Sequence, residues 1–167
     1  MEAIIVLLVL AAFLFLGYIM TKKSNAKLKE KGFDPKNLLV NVKYMCGHPD
    51  LNDPSPINLG VKDGNVYLID AFGKDIASIP ESQIKNIYVE DSTTIQRRPT
   101  VVRFLAVGIL AFAWQKKKKS EQAYLGIEWN DGRFDHDTIF EYGGKGSMQR
   151  ANTARNKLIQ QIKKQTL

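Results

Sequence analysis

A single cysteine, Cys46, stands in the 167-residue chain, so neither an internal disulfide framework nor a multi-cysteine zinc site can be built from it. Two histidines, His48 and His136, leave little material for a metal centre. No Lys or Arg precedes the first apolar run, and no acidic residue occurs anywhere between Ser92 and Ser120. Proline and glycine are too sparse, at 6 and 12, for a collagen-like or low-complexity chain. The length itself suits one ordinary domain.

What is present is unevenly placed. Residues 3–20 read AIIVLLVLAAFLFLGYIM without a charge, and as a helix would extend about 27 Å, close to the hydrocarbon thickness of a bilayer. Lys22 and Lys23 follow and can snorkel to the interface, and Tyr18 lies near the same end, where aromatic rings favour the headgroup level. A cleaved signal peptide would need a basic start and a small-residue cleavage site, and a soluble core helix would show a polar stripe. The run has none of these, so residues 1–21 are read as a retained transmembrane anchor. Residues 22–31 hold five Lys and one Glu. The positive-inside rule keeps that flank, and the domain after it, cytoplasmic at the cell membrane.

Residues 22–37 form a basic juxtamembrane linker ending in Asp34-Pro35. Seven short strand signals follow, at 38–45, 57–61, 66–71, 75–79, 84–89, 123–129 and 137–142. Asp63-Gly64 and Asp131-Gly132 are hairpin signals between neighbouring pairs, and a loop is expected through 91–94. From Met148 the apolar residues Ala151, Ala154, Leu158, Ile159 and Ile162 repeat at helical spacing, with Ser147 as the expected N-cap. Arg150, Arg155, Lys157, Lys163 and Lys164 occupy the other face. The expected class is mainly β with α: an antiparallel barrel or sandwich capped by a C-terminal amphipathic helix.

Three stretches carry a resemblance: Gly64-Asn65-Val66-Tyr67-Leu68-Ile69, Ile79-Pro80-Glu81-Ser82-Gln83-Ile84-Lys85-Asn86-Ile87 and Tyr124-Leu125-Gly126-Ile127-Glu128-Trp129, followed by Ile139-Phe140-Glu141 and the terminal helix. In this order they resemble the pleckstrin-homology/GRAM superfold in its bacterial PH-like form, over about residues 38–165. The resemblance implies an open barrel plugged by its last helix, acting as a binding module. Phosphoinositide sites in that group usually use basic residues around the first hairpin. The matching loop here, 47–56, is acidic and poor in basic residues.

The acid-free stretch contains RRPTVVRFLAVGILAFAWQKKKK, residues 97–119, inserted between two strands. Its apolar part, 104–114, is too short to span a bilayer. Three readings are open: core packing, shallow contact with a membrane surface, and a groove for a protein partner. On the second, Arg97, Arg98, Arg103, Phe104, Trp114, Lys116, Lys117, Lys118 and Lys119 would meet the membrane. Each Lys would gain about 1 kcal/mol near anionic lipid headgroups.

Other signals are weaker. Cys46 and His48 are too close in a Gly-Pro turn to form a nucleophile–base pair. With Asp50 and Asp53 they make a poor zinc set. Asp131, Asp135, His136 and Asp137 lack EF-hand spacing. The 143–147 loop lacks the phosphate-loop frame, although a helix N-terminus can attract an anion. No nucleic-acid reading motif is visible, so no nucleic-acid partner is expected. The expected protein is no enzyme, has no cofactor or metal, and binds or scaffolds at a bilayer. A protein–protein adaptor without lipid contact is the alternative.

Overall fold

The computed structural model describes residues 2–106, 108 and 121–165. The chain divides into two compact units, residues 1–37 and 38–167.

The first unit is one helix, α1 (Glu2–Glu30), which runs unbroken from the apolar run into the lysine-rich segment. It is the one helix among the described residues long and apolar enough to cross a membrane. Its end is written in the sequence. Gly32 takes a φ of 84°, its N–H donates to the Lys29 carbonyl, and the Phe33 N–H donates to the Leu28 carbonyl. This is the double closure that a left-handed residue makes after a helix. Asp34 then organises the turn, accepting from the Lys36 N–H at 3.0 Å.

The second unit contains all seven expected strands: β1 (Leu39–Cys46), β2 (Ser55–Lys62), β3 (Asn65–Ile69), β4 (Asp75–Pro80), β5 (Ile84–Asp91), β6 (Gln122–Asn130) and β7 (Asp135–Gly143). They form one antiparallel sheet in the order β4-β3-β2-β1-β7-β6-β5. The first and last strands pair in the middle, and β4 and β5, consecutive in sequence, are the two edges. The barrel anticipated from the strand pattern is therefore not closed. A 3-10 turn over Glu81–Gln83 separates the two edge strands. Each edge finds a side-chain partner instead: the Arg155 Nε–H donates to the Ile87 carbonyl of β5 at 2.7 Å, and His48 Nε2 lies 3.3 Å from the Ser78 carbonyl of β4. Each contact removes one carbonyl from those an edge offers for pairing with other chains.

The β2–β3 turn has Asp63 at φ 48° and Gly64 at φ 68°, the pair of left-handed residues that matches strand twist in a two-residue hairpin. Loop 91–94 differs from expectation. Asp91 Oδ1 accepts from the Thr93 and Thr94 N–H groups, both at 2.8 Å, and so caps a short helix, α2 (Ser92–Ile95). After it comes α3 (Pro99–Ala106), with proline in the first position, where its missing N–H costs nothing.

The last helix, α4 (Ser147–Gln165), begins at Ser147 rather than being capped by it. The Gly146 carbonyl accepts the Arg150 N–H, which makes Gly146 the cap residue. Its N–H donates to Glu121 Oε2 at 2.9 Å, so a carboxylate of the chain itself already meets this helix start. Ala151, Ala154 and Leu158 are buried, and Ile159 and Ile162 pack partly against the same core. Met148 is exposed, at the edge of the stripe assigned to it.

The sheet is covered on both faces at its β1-β7-β6-β5 half. On one face Tyr44, Leu125, Ile127 and Phe140 pack beneath α4. On the other, Met45, Cys46, Tyr88, Tyr124 and Ile139 pack with Ile95 and Val101 of α2 and α3. This double cover explains why Ala123–Ile127 are all buried, without the alternation of a sheet with one wet face.

Candidate functional site

The acid-free stretch starts where β5 ends, and its first basic residues come to rest beside β5, β6 and β7. Arg98 is the turn residue between α2 and α3. Its Nε–H donates to Glu90 Oε1 at 3.0 Å, its Nη2 lies 2.5 Å from the same oxygen, and its Nη1 lies 2.5 Å from Glu128 Oε1. The guanidinium carbon is 3.8 Å from the centroid of the Tyr88 ring, a cation–π contact. The two carboxylates hold the Arg98 proton more tightly than usual, the bond to Glu90 contributing most.

Tyr88 continues the network. Its hydroxyl donates to Asp137 Oδ1 at 2.6 Å. Burial, followed by the Asp137 charge, pushes the phenol far above its ordinary value. Burial also raises the Asp137 carboxyl, opposed by the Tyr88 bond and the Arg98 charge. The ring lies against Gly126: a Cβ there would come within 2.0 Å of Tyr88 Cζ. A mid-strand glycine marking a close approach is the signal that could have disclosed this cluster. Asp137, the first residue of the strand expected at 137–142, lies within β7.

Beside the network is an open cleft of about 360 Å³ that Arg98, Thr100, Arg103, Lys85, Trp129 and His136 help to line. Its polar lining is largely partnered: Lys85 Nζ sits 2.6 Å from Asp135 Oδ1, and His136 Nε2 sits 2.9 Å from Asp131 Oδ2. The bond from His136, with backbone N–H groups of Phe134 and Arg133, lowers the Asp131 carboxyl to about 2. Trp129 lies close to two imidazoles, both tilted to it, its ring centroid 4.4 Å from His136 and 5.3 Å from His48.

The residues expected to contact a membrane thus divide. Arg98 is committed to Glu90 and Glu128 inside the domain. Arg97 and Arg103 are exposed. Phe104 is half-buried and, with Leu105, packs against the second core cluster, so the first turns of the apolar segment serve core packing. Trp114, Lys116, Lys117, Lys118 and Lys119 lie outside the described residues. On α4, Arg155 is drawn from the expected water-facing row to the β5 edge.

Cys46 and His48 do not act together. The Cys46 side chain is fully buried in the second cluster, and burial pushes its thiol up to about 12, an inert form rather than a nucleophile. His48 Nδ1 accepts from the Asp50 N–H at 3.2 Å, which assigns the ring proton to Nε2, facing the Ser78 carbonyl. Among the described residues no group of three or more His, Cys, Asp or Glu side chains is placed to hold a metal ion. Chemically, the cleft offers charge-paired polar walls, one exposed guanidinium at Arg103 and an aromatic floor: features of recognition.

Comparison with protein-family models gives no match. Comparison with curated proteins gives none either.

Proposed function

We propose that the protein is a single-pass, membrane-anchored binding or scaffolding module whose domain is PH-like and faces the cytoplasm. The observation that carries this reading is the surface of α1. Val6, Leu7, Phe13, Leu14 and Phe15 are all more than 60% exposed, and apolar surface of that extent demands a cover that lipid supplies. The lysines at its C-terminal end favour the cytoplasmic side for the β domain. In support of a PH-like domain are a seven-strand antiparallel sheet left open between β4 and β5 and a final helix packed over the core. Arg97, Arg103 and the segment through Lys116–Lys119 would add an auxiliary contact with anionic headgroups.

The test of the anchor is alkaline carbonate extraction of membranes from cells expressing the full chain. The protein should stay in the pellet and be released by detergent. Recovery in the carbonate supernatant would overturn the reading.

A further inference from the structure

We propose that the groove between the start of β1 and the first turns of α4 is a binding site for a monocarboxylate carried on an aliphatic chain. The groove is separate from the Tyr88–Asp137 cleft and has a volume of about 450 Å³. It exists because β1 and β7 part company. Their register runs only from Lys43↔Glu141 toward Cys46, so β7 leaves β1 beyond Glu141. The register of β1 with β2 also shifts between Leu39 and Val42. Asn41, at φ 59°, holds the bulge in a left-handed conformation. Asn tolerates this better than most residues, and it clusters at functional positions.

The walls match the ligand in three ways. Leu38 and Val40 give an aliphatic side, and Val40 is 52% exposed although it sits in a strand. Facing them are Arg150 and Lys157 with the neutral polar Gln149 and Thr153, and no Asp or Glu lines the groove. Arg150 donates through Nη2 to the Gly143 carbonyl. No carboxylate among the described residues pairs with it, so among them its charge is unmatched. Its remaining N–H groups suit the two coplanar oxygens of a carboxylate.

The third feature is Tyr142, which also lines the groove. The residue is only 5% exposed, yet its hydroxyl has no hydrogen-bond partner. Buried hydroxyls are almost always satisfied, and an unused donor beside an unmatched guanidinium is what an anion would complete. Arg150 is near enough for its charge to oppose the upward shift that burial imposes on the Tyr142 phenol.

Isothermal titration with sodium octanoate, using the full chain in nanodiscs of neutral phosphatidylcholine and empty nanodiscs as the blank, tests the assignment. Octanoate should bind saturably. Octanol, which keeps the chain without the charge, and acetate, which keeps the charge without the chain, should each bind at least tenfold more weakly. Arg150→Gln should weaken octanoate at least tenfold. Tyr142→Phe should weaken it severalfold while leaving the unfolding midpoint unchanged or raised, since the hydroxyl it removes is unsatisfied. Octanoate binding to Arg150→Gln as to the wild type, octanol binding as well as octanoate, or no saturable binding by the wild type would each overturn the proposal.

Discussion

Tyr88 lies on Gly126: the place a Cβ would occupy at 126 is within 2.0 Å of Tyr88 Cζ and 2.3 Å of its hydroxyl oxygen. The two are cross-strand partners, paired in the β5–β6 register. The missing side chain lets the ring fold across the sheet so that its hydroxyl meets Asp137 and its face meets Arg98. One absent methyl group therefore supports two interactions. Gly126→Ala should expel the ring and destabilise the domain by about 2 kcal/mol, the usual range for forcing a methyl into a packed site. The urea midpoint of the full chain in detergent, followed by tryptophan emission, reads this. An unchanged midpoint would show that the ring has room to move.

Arg98 is the point at which α2 and α3 are tied to the sheet. Arg98→Ala removes the shared partner of Glu90 and Glu128, leaving two half-buried carboxylates close together, and should cost about 2 kcal/mol. Arg98→Lys should recover only part of the loss, because an ammonium cannot reproduce the fork or the stacking on Tyr88. Hydrogen exchange in Ser92–Ile95 and Pro99–Ala106 should accelerate in the alanine variant. Equal stability of the Lys and Ala variants would contradict the fork.

The strands were legible because their signals are local. Alternating residues and the Asp63-Gly64 step report directly on strand and turn, and all seven strands lie within a few residues of where the pattern puts them. Gly146 and Ser147 show the ordinary one-residue uncertainty of a helix start. The Arg98 network was not legible, for a different reason. Read along the chain, Arg98 sits in an acid-free stretch and looks free to meet an external anion. Its partner Glu128 lies 30 residues away and becomes a neighbour only through strand pairing. Tyr88 and Asp137, 49 residues apart, met by the same route. Asn41 and the parting of β1 from β7 had no sequence signal beyond one asparagine in a strand. The barrel's failure to close likewise depends on pairing between distant strands.

His48 gives the domain a dependence on pH. Burial lowers its folded pKa below the usual histidine value, against the raising influence of the Ser78 carbonyl and Asp50. Below about pH 6.5 the unfolded chain takes up a proton that the folded ring resists, so stability is present above that value and is lost as pH falls through it. Asp137, whose folded pKa is raised, acts with the opposite sign, favouring the fold at the acid end. Comparing the urea midpoint of wild type and His48→Gln at pH 7.5 and 5.5 isolates the histidine. The wild type should lose more stability on acidification than the variant, and identical losses would contradict a neutral buried ring.

The lysine run carries the predicted lipid preference. In nanodiscs containing anionic phosphatidylglycerol, exchange at residues 97–106 should slow relative to neutral phosphatidylcholine. Changing Lys116–Lys119 to Ala should abolish the difference, as should raising the salt to about 0.5 M, where charges are screened within a few ångströms. An equal slowing that survives the substitution would remove these lysines from the account.

The central claim is an α1 that spans the membrane and leaves the β domain on the cytoplasmic side. Protease protection of the full chain tests it most directly, carried out on vesicles of both orientations and read with antibody to a C-terminal tag. Digestion of the domain should occur in inverted vesicles, where the cytoplasmic face is outside, and right-side-out vesicles should protect it until detergent is added. Digestion in right-side-out vesicles, or a tagged product shortened by about twenty residues at its N-terminus, the length of a removed signal segment, would contradict the account.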